Sequence, residues 1–243
     1  MILEGSISVK AALLGRHRDI QTIYIDEKRH DKETAFIIAR ADDAEVPVNR
    51  VSRETIDTMA QGRTHGGILC EAGERRYDEE SVLYETENPF IVVLEGIEDP
   101  FNLGYVIRAL YSSGCTGLVI GKRDWQSADP VILKSSAGAY EYLPIVMSEE
   151  PAIIIRHCRK RTIQTFAAMR RDAIPCYEAD FTGPLLIAIG GEMRGLSSAV
   201  LQECEQNIYI PYANDFRNAL NAAGASAVLG FEVLRQRQYG KGE

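Results

Sequence analysis

Five consecutive apolar residues, Leu185-Leu186-Ile187-Ala188-Ile189, run directly into the turn Gly190-Gly191-Glu192-Met193-Arg194-Gly195. A continuous apolar run of strand length predicts a strand buried on both faces, the environment of a parallel sheet covered by helices. Glycines at the end of such a strand let the backbone approach a ligand closely. The spacing of Gly190 and Gly195 matches a phosphate loop, yet Leu196 and Ser197 follow, so the lysine that would meet phosphates is missing. A nucleoside triphosphate fits such a turn poorly. A ligand whose reactive end is cationic, such as a sulfonium, fits the exposed backbone groups and Glu192 better. The bland alternative is a strand-to-helix turn with no ligand.

The same rhythm extends back along the chain. Phe90–Leu94 and Leu118–Ile120 are further continuous apolar runs, and helix and strand patterns alternate through Ile153–Cys158 and Thr165–Ala168 to Leu185. This predicts an α/β domain with a mostly parallel sheet over residues 89–243. Residues 1–76 read as a separate small α/β unit: a helix ending at Gly15, a strand at Gln21–Ile25, a helix near Asp31–Ala41, a strand near Val46–Val51, a helix from Ser52 and a strand at Gly67–Cys70. Between its last helix and last strand lies Gly62-Arg63-Thr64-His65-Gly66-Gly67, a polar, glycine-rich loop of the kind that carries contacts. Residues 77–88 are acidic, lack periodicity and precede Pro89, so they read as a linker.

The net charge of −8 argues against a nucleic-acid partner until it is divided along the chain. Residues 77–98 alone carry seven acids and no Lys or Arg, whereas residues 99–243 balance and residues 1–76 nearly do. Basic clusters elsewhere, such as Arg16-His17-Arg18 and Arg170-Arg171, are solvated faces or phosphate contacts. The five cysteines form no CxxC pair, which argues against a disulfide framework and a zinc site and predicts a reducing compartment. The start, from Met1 to Gly5, lacks a basic flank and apolar core, and no apolar run approaches membrane-spanning length, so a soluble, cytoplasmic protein is expected.

Asn102 and Arg108 fall where a strand's carboxyl end gives way to a helix, the usual place for a site in an open parallel sheet. Val106, Ile107, Ala109 and Leu110 surround Arg108, and a cation in such company is expected to be ion-paired, to Glu95, Glu98 or Asp99, or functional.

The set Asp99-Pro100-Phe101-Asn102-Leu103-Gly104 with Arg108, then Gly190–Leu196, then Ile208-Tyr209-Ile210-Pro211, then Leu220-Asn221 before a small-residue helix resembles the three motifs of the SpoU (TrmH-type) RNA 2′-O-ribose methyltransferases, a branch of the SPOUT superfamily. Lys134-Ser135-Ser136-Ala137-Gly138-Ala139 looks like the family's segment between its first two motifs. The N-terminal unit is similar, through Leu3-Glu4-Gly5 and Thr64–Gly67, to the ribosomal-protein-like RNA substrate-binding domain found before it.

The resemblance implies an α/β trefoil knot and transfer of a methyl group from S-adenosylmethionine to a ribose 2′-hydroxyl of ribosomal or transfer RNA. It further implies homodimers and no metal. Carried over, Gly190, Gly191, Glu192, Gly195, Ile210, Pro211, Leu220 and Asn221 would bind the cofactor. Asn102 and Arg108 would be catalytic, and Arg63, His65 and Arg108 would contact RNA. One position departs: the family's third motif has a serine before the Leu-Asn pair, and this chain has Ala219. That departure keeps a second expectation open, an RNA-binding protein with a cofactor pocket and little turnover.

Overall fold

The computed structural model of the chain describes residues 1–191, 194–216 and 218–240. In chain order its elements are β1 (Ile2–Glu4), α1 (Ser6–Gly15), β2 (Ile20–Asp26), α2 (Lys32–Asp43), β3 (Val48–Val51), α3 (Arg53–Met59), β4 (Ile68–Ala72), β5 (Phe90–Glu95), α4 (Pro100–Ser112), β6 (Gly117–Gly121), α5 (Asp129–Ser135), β7 (Ile145–Ser148), α6 (Pro151–Lys160), β8 (Gln164–Ala168), β9 (Ala173–Pro175), β10 (Leu185–Gly190), α7 (Ser198–Glu203), β11 (Gln206–Tyr209) and α8 (Ala222–Tyr239). Several helices start where a side chain satisfies an orphan backbone N–H. Asp31, Ser52, Asp99, Ser197 and Asn221 accept from the residue three positions on at α2, α3, α4, α7 and α8. Asp99-Pro100 therefore has a local reason to exist: an acid cap followed by proline at the first turn of α4.

The chain divides into two compact units, Met1–Arg76 with Asp124–Tyr142, and Tyr77–Arg123 with Leu143–Glu243. The first holds a four-stranded sheet in the order β1-β4-β2-β3, with β2 and β3 parallel and the other pairs antiparallel. The strand β1, only three residues long, was invisible to periodicity and owes its place to pairing with β4. Residues 124–142 join this unit through a buried polar cluster. Arg18 donates to Asp129 Oδ2 at 2.6 Å and to Glu141 Oε1 at 2.5 Å, and its side chain is fully buried. Burial alone would lower the Arg18 pKa, but the two carboxylates outweigh it and hold the guanidinium above its ordinary value. The Lys134–Ala139 segment, expected within the 89–243 domain, is thus part of the first unit.

The second unit is a seven-stranded parallel sheet in the order β7-β6-β5-β10-β8-β11-β9. Its centre is β5 beside β10, in register from Leu185 against Phe90 to Gly190 against Glu95. Phe90–Leu94 and Leu185–Ala188 are wholly buried, as continuous apolar runs predict. Ile91, Val93, Leu186 and Ala188 pack with Ile154, Ile155 and Cys158 of α6 and Val200 of α7. Strand alternation turns the intervening residues to the other face, where α8 contributes to the packing. The small residues of α8 permit close approach within the chain. A Cβ on Gly230 would lie 2.3 Å from Ser113 Oγ.

Residues 77–88 are not a free linker. Glu80–Tyr84 forms a turn of 3-10 helix, Leu83 is 1% exposed within the core of the second unit, and the Asp78 N–H donates to the Ile145 carbonyl at 2.9 Å. The acidic composition hid Val82, Leu83 and Tyr84, which bury against the sheet. Ile208 and Tyr209, the first two residues of the Ile208–Pro211 motif, close β11.

Candidate active site

The carboxyl ends of β8, β10 and β11 and the start of α8 enclose a cavity of about 450 Å³. Its walls are Ala168, Met169 and Arg170 after β8; Ile189, Gly190, Gly191, Arg194, Gly195 and Leu196 around the glycine turn; Ile208, Tyr209, Ile210 and Tyr212 around the end of β11; and Leu201, Ala219, Leu220, Ala225 and Leu229. Adjacent parallel strands ending together leave such a crevice.

The glycine turn is tight because the chain meets itself. The Gly191 N–H donates to the Glu95 carbonyl at 2.6 Å, and the Gly195 N–H donates to the Gly191 carbonyl at 3.1 Å. A Cβ on Gly191 would lie 2.1 Å from the Gly96 carbonyl oxygen, and one on Gly190 would lie 2.5 Å from the Gly195 carbonyl carbon. The bareness of both glycines therefore serves the approach of β5 and of the turn itself, not only of a ligand. Gly195 differs: its φ is +64° and an added Cβ would meet nothing within 4 Å.

The sequence-derived cofactor set divides accordingly. Gly190, Gly191, Gly195, Ile210 and Leu220 line the cavity. Pro211 only flanks it, and the Asn221 side chain is committed to α8, its Oδ1 accepting the Gly224 N–H at 2.8 Å. Glu192 lies outside the described residues. Arg170 and Tyr212 were missed as wall residues. Their signal was the place of β8 between β10 and β11, which strand order supplies and local pattern does not.

Arg108 does not line the cavity. It is exposed on α4, on one face with Phe101 and Tyr105, and it makes no ion pair among the described residues. The apolar neighbours Val106, Ile107 and Leu110 are buried, and one helical step of about 100° turns Arg108 to solvent. The expected pairing with Glu95, Glu98 or Asp99 is absent among the described residues. Glu95 instead accepts the Ser197 N–H at 2.7 Å, and Asp99 accepts that of Asn102 at 2.7 Å. Asn102 and Arg108, six apart, sit on different sides of the helix.

In the first unit Arg63 is exposed, but His65 is 3% exposed. Its Nδ1 accepts the Gly67 N–H at 3.2 Å and its Nε2 faces Asp57 Oδ1 at 3.1 Å. His65 therefore braces the loop from inside, with its ring buried. Arg29 donates to the Gly66 carbonyl at 2.6 Å, and Lys134 donates to the Thr64 hydroxyl. The loop is thus bracketed by cations that the sequence scatters over more than a hundred residues.

All five cysteines are free, and burial pushes the Cys115 and Cys158 thiols up to about 12, so neither is a ready nucleophile. Among the described residues no cluster of three or more His, Cys, Asp or Glu could hold a metal ion, and no helix is long and apolar enough to cross a membrane.

Residues 89–231 match the SpoU rRNA methylase family, and residues 2–78 match the RNA 2′-O ribose methyltransferase substrate-binding domain. The chain belongs to the SpoU rRNA methylase family. It is an S-adenosylmethionine-dependent RNA 2′-O-methyltransferase. Among its relatives is a protein of Pseudomonas putida named 23S rRNA (guanosine-2′-O-)-methyltransferase RlmB, 29% identical over 239 residues that cover 96% of each chain. The protein of the same name from Yersinia pestis is 28% identical, covering 97% of each. In fold, the SpoU methyltransferase AviRb from Streptomyces viridochromogenes, solved with AdoMet, aligns at TM-score 0.80 over 99% of this chain and 91% of its own, at 22% identity. The mixed α/β fold, with its seven-stranded parallel sheet and a small N-terminal domain that has a sheet of its own, matches SpoU methyltransferase structures, as the motifs implied. These matches do not favour the reading of a binding protein without turnover.

Proposed function

We propose that this enzyme methylates the ribose 2′-hydroxyl of a guanosine in 23S rRNA. The observation that carries the proposal is the end-to-end match, substrate-binding unit included, to relatives named for that reaction. The cavity suits S-adenosylmethionine. Its volume is in the range of small-molecule pockets, its walls mix apolar side chains with peptide groups, and the space beside Gly195 is open. Gly190, Gly191, Gly195, Ile210 and Leu220 are the residues proposed to hold it.

S-adenosylmethionine supplies a methyl group already bonded to a cationic sulfur, so the transfer needs no metal. The chain's task is to align the 2′-hydroxyl with that bond and to stabilise the charge that grows on its oxygen. Arg108 is the residue proposed for that charge or for a phosphate grip, because a guanidinium stays protonated and offers several donors in a fixed fork. Asn102, on a different side of α4, is proposed as a second catalytic contact. Arg63, and not the buried His65, is proposed to meet RNA phosphates in the first unit.

A homodimer is part of the proposal. Phe101, Tyr105 and Phe231 leave large apolar side chains 53%, 49% and 48% exposed on α4 and α8, and Arg108 shares the α4 face. A second copy covering that face would exclude water around it. The cytoplasm is the proposed compartment, consistent with five free thiols and an rRNA substrate.

Ribose-methylation mapping of 23S rRNA from a strain lacking the gene tests the proposal. Loss of one guanosine 2′-O-methyl, restored by the natural chain and not by Arg108→Ala, is expected. An unchanged methylation map overturns the substrate assignment.

A further inference from the structure

The turn between β11 and α8 contains a hydroxyl contact that linear reading does not reveal. Ala219 offers no hydroxyl, yet Tyr212 Oη accepts the Leu220 N–H at 2.9 Å. That N–H belongs to the peptide joining Ala219 to Leu220. Tyr212, Ala219 and Leu220 all line the cavity. A phenol that accepts one N–H keeps its own proton to donate.

The Tyr212 ring is itself held. The Arg170 guanidinium lies 4.5 Å from the ring centroid, a cation over an aromatic face, and its Nη1 donates to the Phe216 carbonyl at 3.5 Å. Arg170 is also a wall residue, contributed by the end of β8. A cation from one strand end thus fixes a tyrosine from the next, and the tyrosine fixes the Ala219–Leu220 peptide.

We infer that Tyr212 is a positioning residue of the cofactor pocket, supplying to the Ala219–Leu220 turn the hydroxyl that residue 219 lacks, with Arg170 setting the ring. The inference rests on the reading that S-adenosylmethionine occupies this cavity. It explains how a chain with alanine at 219 keeps an ordered turn there.

Calorimetry of S-adenosylmethionine binding to the full-length protein tests it, alongside melting curves and methyl transfer to rRNA. Tyr212→Phe keeps the ring and its cation but loses the oxygen. It is expected to weaken binding by about threefold to tenfold, the size of one net hydrogen bond. Tyr212→Phe combined with Ala219→Ser is expected to recover most of that loss, a rescue that a merely structural tyrosine would not give. Arg170→Ala, at an exposed position where folding is not at stake, is expected to weaken binding in the same direction. Binding by Tyr212→Phe equal to that of the natural chain overturns the inference, as does a double variant no better than Tyr212→Phe. Absence of binding by the natural chain would instead overturn the cofactor site on which the inference rests.

Discussion

Arg18 and Arg108 invert what their neighbours suggest. Arg108 stands among Val106, Ile107, Ala109 and Leu110, and Arg18 between His17 and Asp19, so Arg108 is the one that local composition would bury. The fold buries Arg18 between Asp129 and Glu141 and leaves Arg108 on an open helix face. The difference lies in what each region does with a cation. In the first unit a guanidinium ties a segment from far along the chain to the sheet, and its charge is consumed by that work. In the second unit the helix period delivers a guanidinium to solvent, where its donors remain available to a substrate.

The sharpest way to break this contrast is to remove each arginine in turn. Arg18→Ala leaves two buried carboxylates without their cation and is expected to destabilise the first unit by about 3–5 kcal/mol, read from urea unfolding. A loss below about 1 kcal/mol, the size of a surface pair, would mean that water reaches the cluster. Arg108→Ala is expected to leave the melting temperature within error of the natural chain while lowering methyl transfer by about 100-fold or more. Arg108→Lys should be nearly as damaging, since it keeps charge and loses the fork. Normal turnover in either would return Arg108 to the status of an ordinary surface residue.

A smaller effect sharpens the comparison at the glycine turn. Gly191→Ala is expected to reduce stability by about 1–3 kcal/mol through overpacking against the Gly96 carbonyl, and to weaken cofactor binding in parallel. Gly195→Ala, with open space but a positive φ, should cost about 1 kcal/mol. Equal stability losses in the two would argue against the close approach of Gly191 to β5.

The smallest expected effect lies in the acidic segment. Burial works to raise the Glu80 carboxyl, but hydrogen bonds from Tyr84 and His157 outweigh it and hold it below its ordinary value of 4.5. A depressed folded-state pKa contributes stability above that ordinary value, and the contribution is lost as pH falls through the folded pKa. The melting temperature should therefore fall less steeply below pH 4.5 in Glu80→Gln than in the natural chain. Identical acid profiles would show that Glu80 is not coupled to folding.

The central strands and the glycine turn were legible because each is set by local chemistry: apolar runs and residues without Cβ. Of the residues that the motifs implied for the cofactor, Gly190, Gly191, Gly195, Ile210 and Leu220 line one cavity. The burial of His65 was not legible, because a histidine in a glycine-rich loop looks exposed until Asp57 and Gly67 are seen against its ring. The acidic segment was misread because its charges outnumber the one leucine that anchors it.

By itself, then, the sequence determined the central buried strands and the order of the three motifs, because those follow from residue type and spacing along one dimension, and the resemblance those motifs carry implied the class of chemistry. Tertiary structure alone decided that Arg18 is buried and Arg108 open, that residues 124–142 pack with the first unit, and that Arg170 and Tyr212 share a wall with Ala219. Burial, pairing and adjacency depend on which strands lie side by side, and β8, β10 and β11 become neighbours only when the sheet closes in its own order.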